Sequence, residues 1–591
     1  MQKRTLVAFR SASVLSVLLL GACANQTPPP SAPTLNVAAP KITRARPTPP
    51  AMQIKNGVEW TANSVVVLRG RVVTMDDAGT VLENGAVVIR NGLIDAVLAA
   101  EDALKLGIFS DTNGANIVPI IIETKGVIYP GMIDLHNHPE YAIYPPMPIK
   151  RAYKDRYEWR NYDDDYTKRI TYPNTVLTSD IYYGLGSEVG RFGELQALIG
   201  GTTTLQGSRT FAAYSKNECL ARNIENSAVT SQKAFSRVDI GRDAAEWAAM
   251  QAEKAKGPMV IHLAEGASAR MADELRYVKN SGLLGPELIA VHGVGLRPQD
   301  LDELAKAGAK MVWSPLSNFM LYAKTANIDA ARKAGVPLSI GPDWAPSGSK
   351  NSLGELKVVD LVNKNALNNK FSDRALIEMV TRNPAQALNW GGKLGQIKAG
   401  MLADLMVMDD ANASDEAGLP SNVYRNLIEA TEEAVRLVMV RGEPIYGDSA
   451  ALQALRPQAE ILNIFNGLRN KAVAAQCPNA GVPALSVSDM QSRIQAALKF
   501  EPEYSAKKIP AEQIIKDLLL CGLAKPADPP TADDAKRALS CRFGLPFEAT
   551  RLSPLTVHDD PEFFARVLAI PHMPAYLQAI TRYYRAPKLL Q

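Results

Sequence analysis

The chain has 591 residues, of which 46% are hydrophobic and 21% are charged. This is the composition of a folded globular protein, and it excludes a disordered, collagen-like or coiled-coil chain. The 65 basic and 61 acidic residues leave a net charge of only +4, which gives no indication of a nucleic-acid partner. The length allows several domains, or fewer if one of them is a barrel.

The N-terminal segment has the features of an export signal. Basic residues precede a short apolar run at 11–20, which is too short to span a bilayer and predicts a signal peptide over residues 1–22. The following Leu20-Gly21-Ala22-Cys23 resembles the lipobox of bacterial lipoproteins. That resemblance implies lipidation of Cys23 and an exported protein anchored in the outer membrane, facing the periplasm. The alternative is a plain secretory signal that is cleaved near Ala24.

Proline dominates the next segment, residues 23–54, which contains Pro28-Pro29-Pro30 and few large apolar side chains. Such a segment cannot bury enough surface to offset the entropy lost on ordering. We therefore predict an extended tether between the lipid anchor and the folded protein.

Strand signals begin near residue 55 and change in character along the chain. Runs rich in Val and Ile, separated by turn residues, occur within 55–130 and again within 391–450. Between them, short apolar runs end in a polar residue and are followed by helical segments. This repeat predicts a parallel barrel over residues 131–390, with its chemistry at the carboxyl ends of the strands. The third and fourth strands give no clear signal between 207 and 257.

Histidine is rare, with six in the chain, and four of the six follow predicted barrel strands. His136 and His138 are two positions apart on one strand, so their side chains point to the same face. His262 and Asp343 end two other strands. Three imidazoles and one carboxylate that converge on one point are suitable ligands for a metal ion. They leave a coordination position for a water molecule.

The motifs around these residues extend over about residues 55–450. They read YPGMIDLHNH (129–138), GGTTT (200–204), HLAE (262–265), VHG (291–293), SPLSN (314–318), GPD (341–343), NPAQA (383–387) and LGQIKAGMLAD (394–404). In combination they resemble the amidohydrolase superfamily, in the mononuclear branch that includes adenosine and cytosine deaminases and triazine hydrolases. The resemblance implies an α/β fold, with a distorted (β/α)8 TIM barrel at 131–390 and a small composite β-sandwich built from 55–130 and 391–450.

The resemblance also assigns roles to individual residues. It implies one divalent ion per chain, zinc with iron or manganese as alternatives, held by His136, His138, His262 and Asp343. Glu265 would move protons, and His292 would polarise the attacking water without binding the metal, drawing off its proton together with Asp343. Trp344 and Ser347, which follow Asp343, are predicted to contact the substrate. Pro342 and Trp344 depart from the residues common beside this Asp in deaminases, which weakens the inference of any particular deaminase's substrate for this chain.

The predicted activity is hydrolysis of a carbon–nitrogen bond other than a peptide bond by a metal-activated water. The reaction could be deamination, or it could be hydrolysis of an amide or amidine. The substrate would be a small molecule, cyclic or acyclic. One alternative is a binuclear amidase or dipeptidase-like enzyme, which needs a carboxylated lysine, and Lys233 is the one candidate. Another is a non-catalytic solute-binding lipoprotein, although pure binding would need neither Glu265 nor His292.

A long insertion, residues 139–195, follows the first barrel strand and should lie at the catalytic mouth. It is rich in tyrosine and contains Trp159. Either these rings form an aromatic lid that stacks on a flat substrate, or the insertion uses them for its own packing.

Residues 451–591 lie outside the resemblance and are predicted to form a mostly helical extension of unknown role. Its His558 and His572 are interpreted as solvated or structural. Four cysteines follow Cys23, and the simplest pairing joins Cys521 to Cys541 within the extension and Cys219 to Cys477, which would tie the extension to the barrel. The alternative is that Cys219 is a buried free thiol, which leaves one other cysteine unpaired. A homodimer is left open.

Overall fold

The computed structural model of the chain describes residues 49–584, apart from positions 58, 106–108, 111–115, 163–165, 208–217, 219, 228, 230–233, 242, 411–421, 476–484, 527 and 545–549. The predicted signal peptide, Cys23 and most of the predicted tether therefore lie outside the described residues. The strands are β1 Gln53–Lys55, β2 Val66–Val73, β3 Val81–Arg90, β4 Leu93–Ala99, β5 Phe109–Ser110, β6 Asn116–Ile117, β7 Ile120–Pro130, β8 Met132–Asp134, β9 Thr202–Leu205, β10 Arg222–Asn223, β11 Phe235–Arg237, β12 Met259–Leu263, β13 Leu288–His292, β14 Lys310–Trp313, β15 Leu338–Ile340, β16 Leu405–Asp409, β17 Val435–Val440, β18 Glu443–Asp448, β19 Glu460–Leu462 and β20 Lys471–Val473.

The helices connect these strands and build the C-terminal part of the chain. The α-helices are α1 Ala100–Lys105, α2 Arg156–Tyr162, α3 Tyr172–Thr178, α4 Gly186–Ile199, α5 Ala244–Lys254, α6 Ala269–Ala272, α7 Glu274–Asn280, α8 Pro298–Lys306, α9 Pro315–Tyr322, α10 Ile328–Ala334, α11 Ser352–Asn365, α12 Asp373–Glu378, α13 Arg382–Ala387, α14 Val423–Glu429, α15 Ser449–Leu455, α16 Val487–Ala497, α17 Pro502–Lys508, α18 Ala511–Leu520, α19 Ala532–Phe543 and α20 Pro561–Leu568. Shorter 3₁₀ turns lie at Pro139–Tyr141, Glu432–Ala434 and Phe465–Gly467, a longer one at Ala575–Arg582, and a π-helical turn at Thr167–Thr171. Within the described part of the chain, no helix has the length and apolar character needed to cross a membrane.

Strands from both sides of the barrel sequence form one large sheet, in the order β19-β20-β18-β17-β16-β7-β2-β3-β4, with β1 paired to β7. The antiparallel pairing of β16 with β7 joins the two segments that the sequence analysis predicted to share a sandwich. The sheet extends further than predicted at both ends. β1 lies in the segment predicted as tether, because Gln53 to Lys55 pair with Ile121 to Glu123. β19 and β20 belong to the segment predicted as a mostly helical extension, which therefore also contains strands. β20 pairs with β18 and so covers an edge of the sheet that would otherwise be unpaired.

Eight parallel strands carry the chemistry, arranged in two groups. One group has the order β10-β9-β8 and the other the order β11-β12-β13-β14-β15. A parallel bridge between Asn137 and Asp343 joins the segments that follow β8 and β15. β10 and β11 are the third and fourth strands that the sequence did not reveal. They have only two and three residues and contain arginines, so neither gives the apolar run of a central strand.

The insertion after β8 packs against the C-terminal extension. The hydroxyl of Tyr182 donates to Asp517 Oδ2 at 3.0 Å, and the backbone amide of Ser553 donates to Ile143 O at 2.9 Å. Most described aromatic side chains of the insertion are buried, among them Tyr144, Tyr153, Trp159, Tyr182 and Tyr183. These buried rings therefore serve packing, as the second interpretation has it, whereas an aromatic lid on the substrate stays a prediction.

One disulfide bond lies within the extension. Cys521 follows α18 and Cys541 lies in α19, and the two are joined as predicted. Cys219 and Cys477 lie outside the described residues, so the second predicted bridge stays a prediction. Closing a loop of 20 residues restricts the unfolded chain and so stabilises this part of the extension.

Candidate active site

The predicted metal ligands come from the carboxyl ends of three barrel strands. His136 and His138 follow β8, His262 lies in β12, and Asp343 follows β15. His292 is the last residue of β13, which lies beside β12. Because parallel strands present their carboxyl ends at the same edge, the five side chains meet at one place.

The tightest group consists of His136, His262, His292 and Asp343, whose possible ligand atoms all lie within 4.8 Å of one another. His136 Nε2 is 2.9 Å from Asp343 Oδ1. His138 lies next to this group, with Nε2 3.6 Å from the same oxygen and its side chain 19% exposed. The structure thus brings together all four predicted ligands, and His292 lies beside them.

The chemistry of these side chains fits a cation. Among the described residues, neither ring nitrogen of His136 nor Nε2 of His292 has a partner in hydrogen-bonding geometry, although all three atoms are buried. Burial lowers the pKa of His262 and of His292 well below the usual value, so both rings are neutral and have a lone pair. Burial acts to raise the pKa of Asp343, but the adjacent histidines, His136 first, outweigh it and hold that pKa below its usual range. Neutral imidazoles and an ionised carboxylate are the forms that bind zinc.

The backbone is strained at two of these positions. His292 and Asp343 have φ angles of 69° and 68°, in the left-handed region that non-glycine residues seldom adopt. Such residues cost on the order of 1–3 kcal/mol each and persist where the surrounding structure fixes them. The strain turns both side chains toward the cluster directly after their strands end, and no pattern in the sequence indicates it.

Glu265 lies just beyond β12, as predicted from its spacing to His262. Its Oε1 accepts a hydrogen bond of 2.6 Å from the hydroxyl of Tyr322, and its Oε2 is 3.6 Å from His292 Nε2. Burial raises the pKa of Glu265 to about 7, with the charge of Asp343 adding to the effect and Arg156 opposing it. This side chain therefore exists in both protonation states near neutral pH, as a group that accepts and donates protons must.

Helix α9 supplies contacts that sequence reasoning missed. Ser317 donates to Asp343 Oδ2 at 2.6 Å, and Asn318 Nδ2 lies 2.9 Å from His292 Nδ1. Both residues belong to the SPLSN motif, which was the only signal for them. Tyr322, at the end of the same helix, has no motif of its own.

The predicted substrate-binding residues brace the segment after Asp343. The ring of Trp344 stacks on Trp159 with 5.5 Å between ring centroids, and its indole N–H donates to Ser347 Oγ. Ser347 Oγ is also 3.2 Å from Ser317 Oγ. Both side chains are buried, and both reach the cluster through other side chains.

Open space adjoins the cluster at His138 and His262. A cavity of about 80 Å³ is lined by His138 and His262 and by polar side chains that include Gln206 and Ser236. A wider space of about 410 Å³ shares Arg237 and Val238 with it. The inner cavity has room for the reacting part of a small molecule, and the wider space has room for its remainder.

A polar cluster that suits a metal ion, at the carboxyl ends of parallel strands and beside a proton-exchanging carboxyl, defines a hydrolase site of the metal-dependent barrel class. The sequence model described as the amidohydrolase family matches residues 221–445. Together with the relatives described next, this match supports an enzyme that hydrolyses carbon–nitrogen bonds other than peptide bonds and whose sequence is similar to the amidohydrolase family.

Two curated relatives are deaminases. A 5-methylthioadenosine/S-adenosylhomocysteine deaminase of Thermococcus sibiricus is 26% identical over 345 residues, which are 49% of this chain and 76% of the relative. A 5'-deoxyadenosine deaminase of Methanosarcina mazei is 26% identical over 388 residues, which are 58% of this chain and 84% of the relative. Among solved structures, an adenosine deaminase from Xanthomonas campestris with bound zinc matches 67% of this chain and 98% of its own, with a TM-score of 0.51 and 21% identity. That likeness indicates a TIM-barrel-like α/β fold.

Proposed function

We propose that the protein is a mononuclear metal-dependent deaminase, which replaces an amino group on a small heteroaromatic ring by oxygen and releases ammonia. The observation that carries the proposal is Glu265, a buried carboxyl whose pKa is raised to about 7 beside the histidine cluster. Replacing an amino group by oxygen requires a proton for the departing nitrogen, and a group that is protonated near pH 7 can supply it. The names of the curated relatives support an adenine-type ring as the substrate class.

The proposed metal is one zinc ion, with His136, His138, His262 and Asp343 as its ligands. His292 is left out because of its contact with Asn318. The Asn318 carbonyl accepts from the Thr325 hydroxyl at 3.3 Å, so its NH₂ group faces His292 Nδ1 and donates to it. The ring proton of neutral His292 then sits on Nε2, which leaves this nitrogen without a lone pair for a metal.

Each side chain of the site has a separate role in the proposed reaction. A zinc ion at this site would acidify a water molecule enough to make it a nucleophile at neutral pH. Asp343, ionised and fixed by Ser317, accepts a proton from the attacking water. His292 donates a hydrogen bond from Nε2 to the oxygen that becomes negative. The attack forms a carbon–oxygen bond. Glu265 delivers a proton from Oε2 to the leaving nitrogen, the carbon–nitrogen bond breaks, and the nitrogen leaves as ammonia.

A screen for release of ammonia from ring amines and of a free amine from N-acyl amines tests the proposal. The zinc-loaded protein would be offered adenine nucleosides, guanine, cytosine, aminotriazines and N-acyl amines. We expect release from at least one ring amine and none from the N-acyl amines. Turnover of N-acyl amines alone would favour the amidase alternative, for which the candidate Lys233 lies outside the described residues. Absence of turnover on all of these classes would contradict the proposal.

We also propose that the protein is exported and anchored by lipid on Cys23. The lipobox-like sequence supports this, and so does the Cys521–Cys541 disulfide, because such bonds are rare in reducing compartments. Cys23→Ala should release the protein into the soluble fraction or block its maturation, whereas Cys23 with two or more acyl chains anchors stably. Wild-type protein found wholly in the soluble cytoplasmic fraction would contradict the anchor.

A further inference from the structure

Two buried side chains that no motif indicates form a chain of hydrogen bonds that ends at Glu265. The Tyr322 hydroxyl lies 2.6 Å from Glu265 Oε1, and the indole nitrogen of Trp159 lies 2.9 Å from the same hydroxyl. All three side chains are buried. Tyr322 ends helix α9, whereas Trp159 comes from α2 in the insertion.

The direction of these two hydrogen bonds is fixed by chemistry. An indole N–H can only donate, so the Tyr322 oxygen is the acceptor of the Trp159 bond. A phenol has one hydrogen, and this bond leaves it free to point at the nearest acceptor, Glu265 Oε1. Oε1 is thus permanently engaged as an acceptor. Oε2, which faces His292, is left as the oxygen that takes and gives the proton.

The backbone of the insertion fixes Trp159 relative to both partners. The amide of Arg156 donates to Glu265 O at 3.1 Å, and the amide of Ala267 donates to Lys154 O at 2.8 Å. The amide of Tyr153 donates to Leu321 O at 2.7 Å, next to Tyr322. The segment that leads into α2 is therefore bonded both to the loop that carries Glu265 and to the end of the helix that carries Tyr322.

We infer, resting on the proposed function, that Tyr322 and Trp159 are positioning residues that restrict proton transfer by Glu265 to its Oε2. Trp159 acts only through the Tyr322 hydroxyl. Through Trp159, helix α2 of the insertion would then take part in positioning Glu265.

Packing is the competing explanation for Trp159. Its ring stacks on Trp344 and lies edge-on to Tyr166, with 4.8 Å between those centroids. If packing were its whole role, replacing it would cost the same with or without the Tyr322 hydroxyl. If it acts through that hydroxyl, its effect disappears once the hydroxyl is gone. A double-mutant cycle separates the two cases.

The cycle uses Tyr322→Phe, Trp159→Phe and the double variant, with kcat and KM measured on a substrate found in the screen. We expect Tyr322→Phe to lower kcat by about 10-fold or more with little change in KM, because a hydrogen bond to an ionisable group is lost. Trp159→Phe should lower kcat less, and the double variant should match Tyr322→Phe. Additive losses of kcat, or an effect on KM alone, would overturn the inference. Tyr182→Phe is the matched control, since it also removes one buried tyrosine hydroxyl, which is bonded to Asp517 and not to Glu265, and it should leave kcat unchanged.

A second measurement needs neither metal nor substrate. With tryptophan labelled by ¹⁵N, the six indole N–H groups of the chain give separate signals, and Trp159→Phe identifies one of them. In metal-free protein we expect Tyr322→Phe to shift the Trp159 signal and Tyr182→Phe to leave it in place. An unmoved Trp159 signal in Tyr322→Phe would overturn the inference even if the enzyme is a deaminase. A shifted signal in a protein that releases no ammonia would instead count against the proposed function alone.

Discussion

Replacing Glu265 by glutamine separates proton delivery from metal binding. Glutamine has the same shape, and its carbonyl can still accept the hydrogen bond from Tyr322. It cannot take up and release a proton at the position of Oε2, beside His292. Because Glu265 is not one of the four proposed metal ligands, its replacement should leave the bound metal in place.

The expected loss of kcat in Glu265→Gln follows from the role of Glu265 as a general acid and base. General acid–base catalysis contributes about 10²–10⁴-fold, so kcat should fall by this factor, or about 2.7–5.4 kcal/mol in the activation barrier. The pH dependence adds a second signature. Since the pKa of Glu265 is raised to about 7 by burial, the protonated form that donates is lost as pH rises through 7, and wild-type kcat should decline there. Glu265→Gln should lack this decline because glutamine does not titrate.

The assay combines ammonia release from pH 5 to 9 with elemental analysis of the same samples. Glu303→Gln is a matched control, because it makes the same change at an exposed ion pair with Lys279, and it should behave like wild type. Loss of metal together with activity would make Glu265 a ligand. A Glu265→Gln enzyme with near wild-type kcat would refute its role as the proton carrier.

Three further outcomes are expected. His138→Ala should lower metal content, whereas His292→Ala should retain the metal and lose at least 10²-fold in kcat; the reverse pattern in elemental analysis would put His292 in the ligand set. Burial raises the pKa of Glu355 to about 8, so the carboxyl ionises less readily in the folded chain than in the unfolded chain. The free energy of unfolding should therefore fall as pH rises from 5 to 8. By urea unfolding, the loss should be smaller in Glu355→Gln than in wild type by on the order of 3 kcal/mol, because the other buried carboxyls, such as Asp134, contribute in both proteins. Equal slopes in the two proteins would contradict this prediction. Replacing both Cys521 and Cys541 by alanine should cost about 3 kcal/mol of stability, as expected for a loop of 20 residues, and unchanged urea midpoints would count against this value.

The strands that carry the chemistry could be predicted, because each is a short apolar run that ends in a polar residue. β12 and β13 are of this kind, and His262 and His292 lie at their ends. β10 and β11 could not be predicted, since two or three residues that include arginine give no periodic signal. Their pairing depends on neighbours supplied by distant parts of the chain.

The histidines and Asp343 could be predicted as a group from their positions after strands, but the contacts among them could not. The left-handed backbone at His292 and Asp343 decides how close the side chains come, and it arises from tertiary packing. The side chains that orient them were invisible for another reason. Asn318 and Tyr322 lie on a helix after the strand, so only the folded chain brings them to His292 and Glu265.

Stepwise return of zinc to the metal-free protein tests the central claim most directly. Ammonia release from the best substrate of the screen would be measured at each addition, with bound zinc determined in parallel. The proposed mononuclear deaminase predicts that activity rises in proportion to zinc and levels off at one ion per chain, and that His136→Ala stays inactive. Activity that needs two ions per chain, or that is undiminished without any metal, would contradict it.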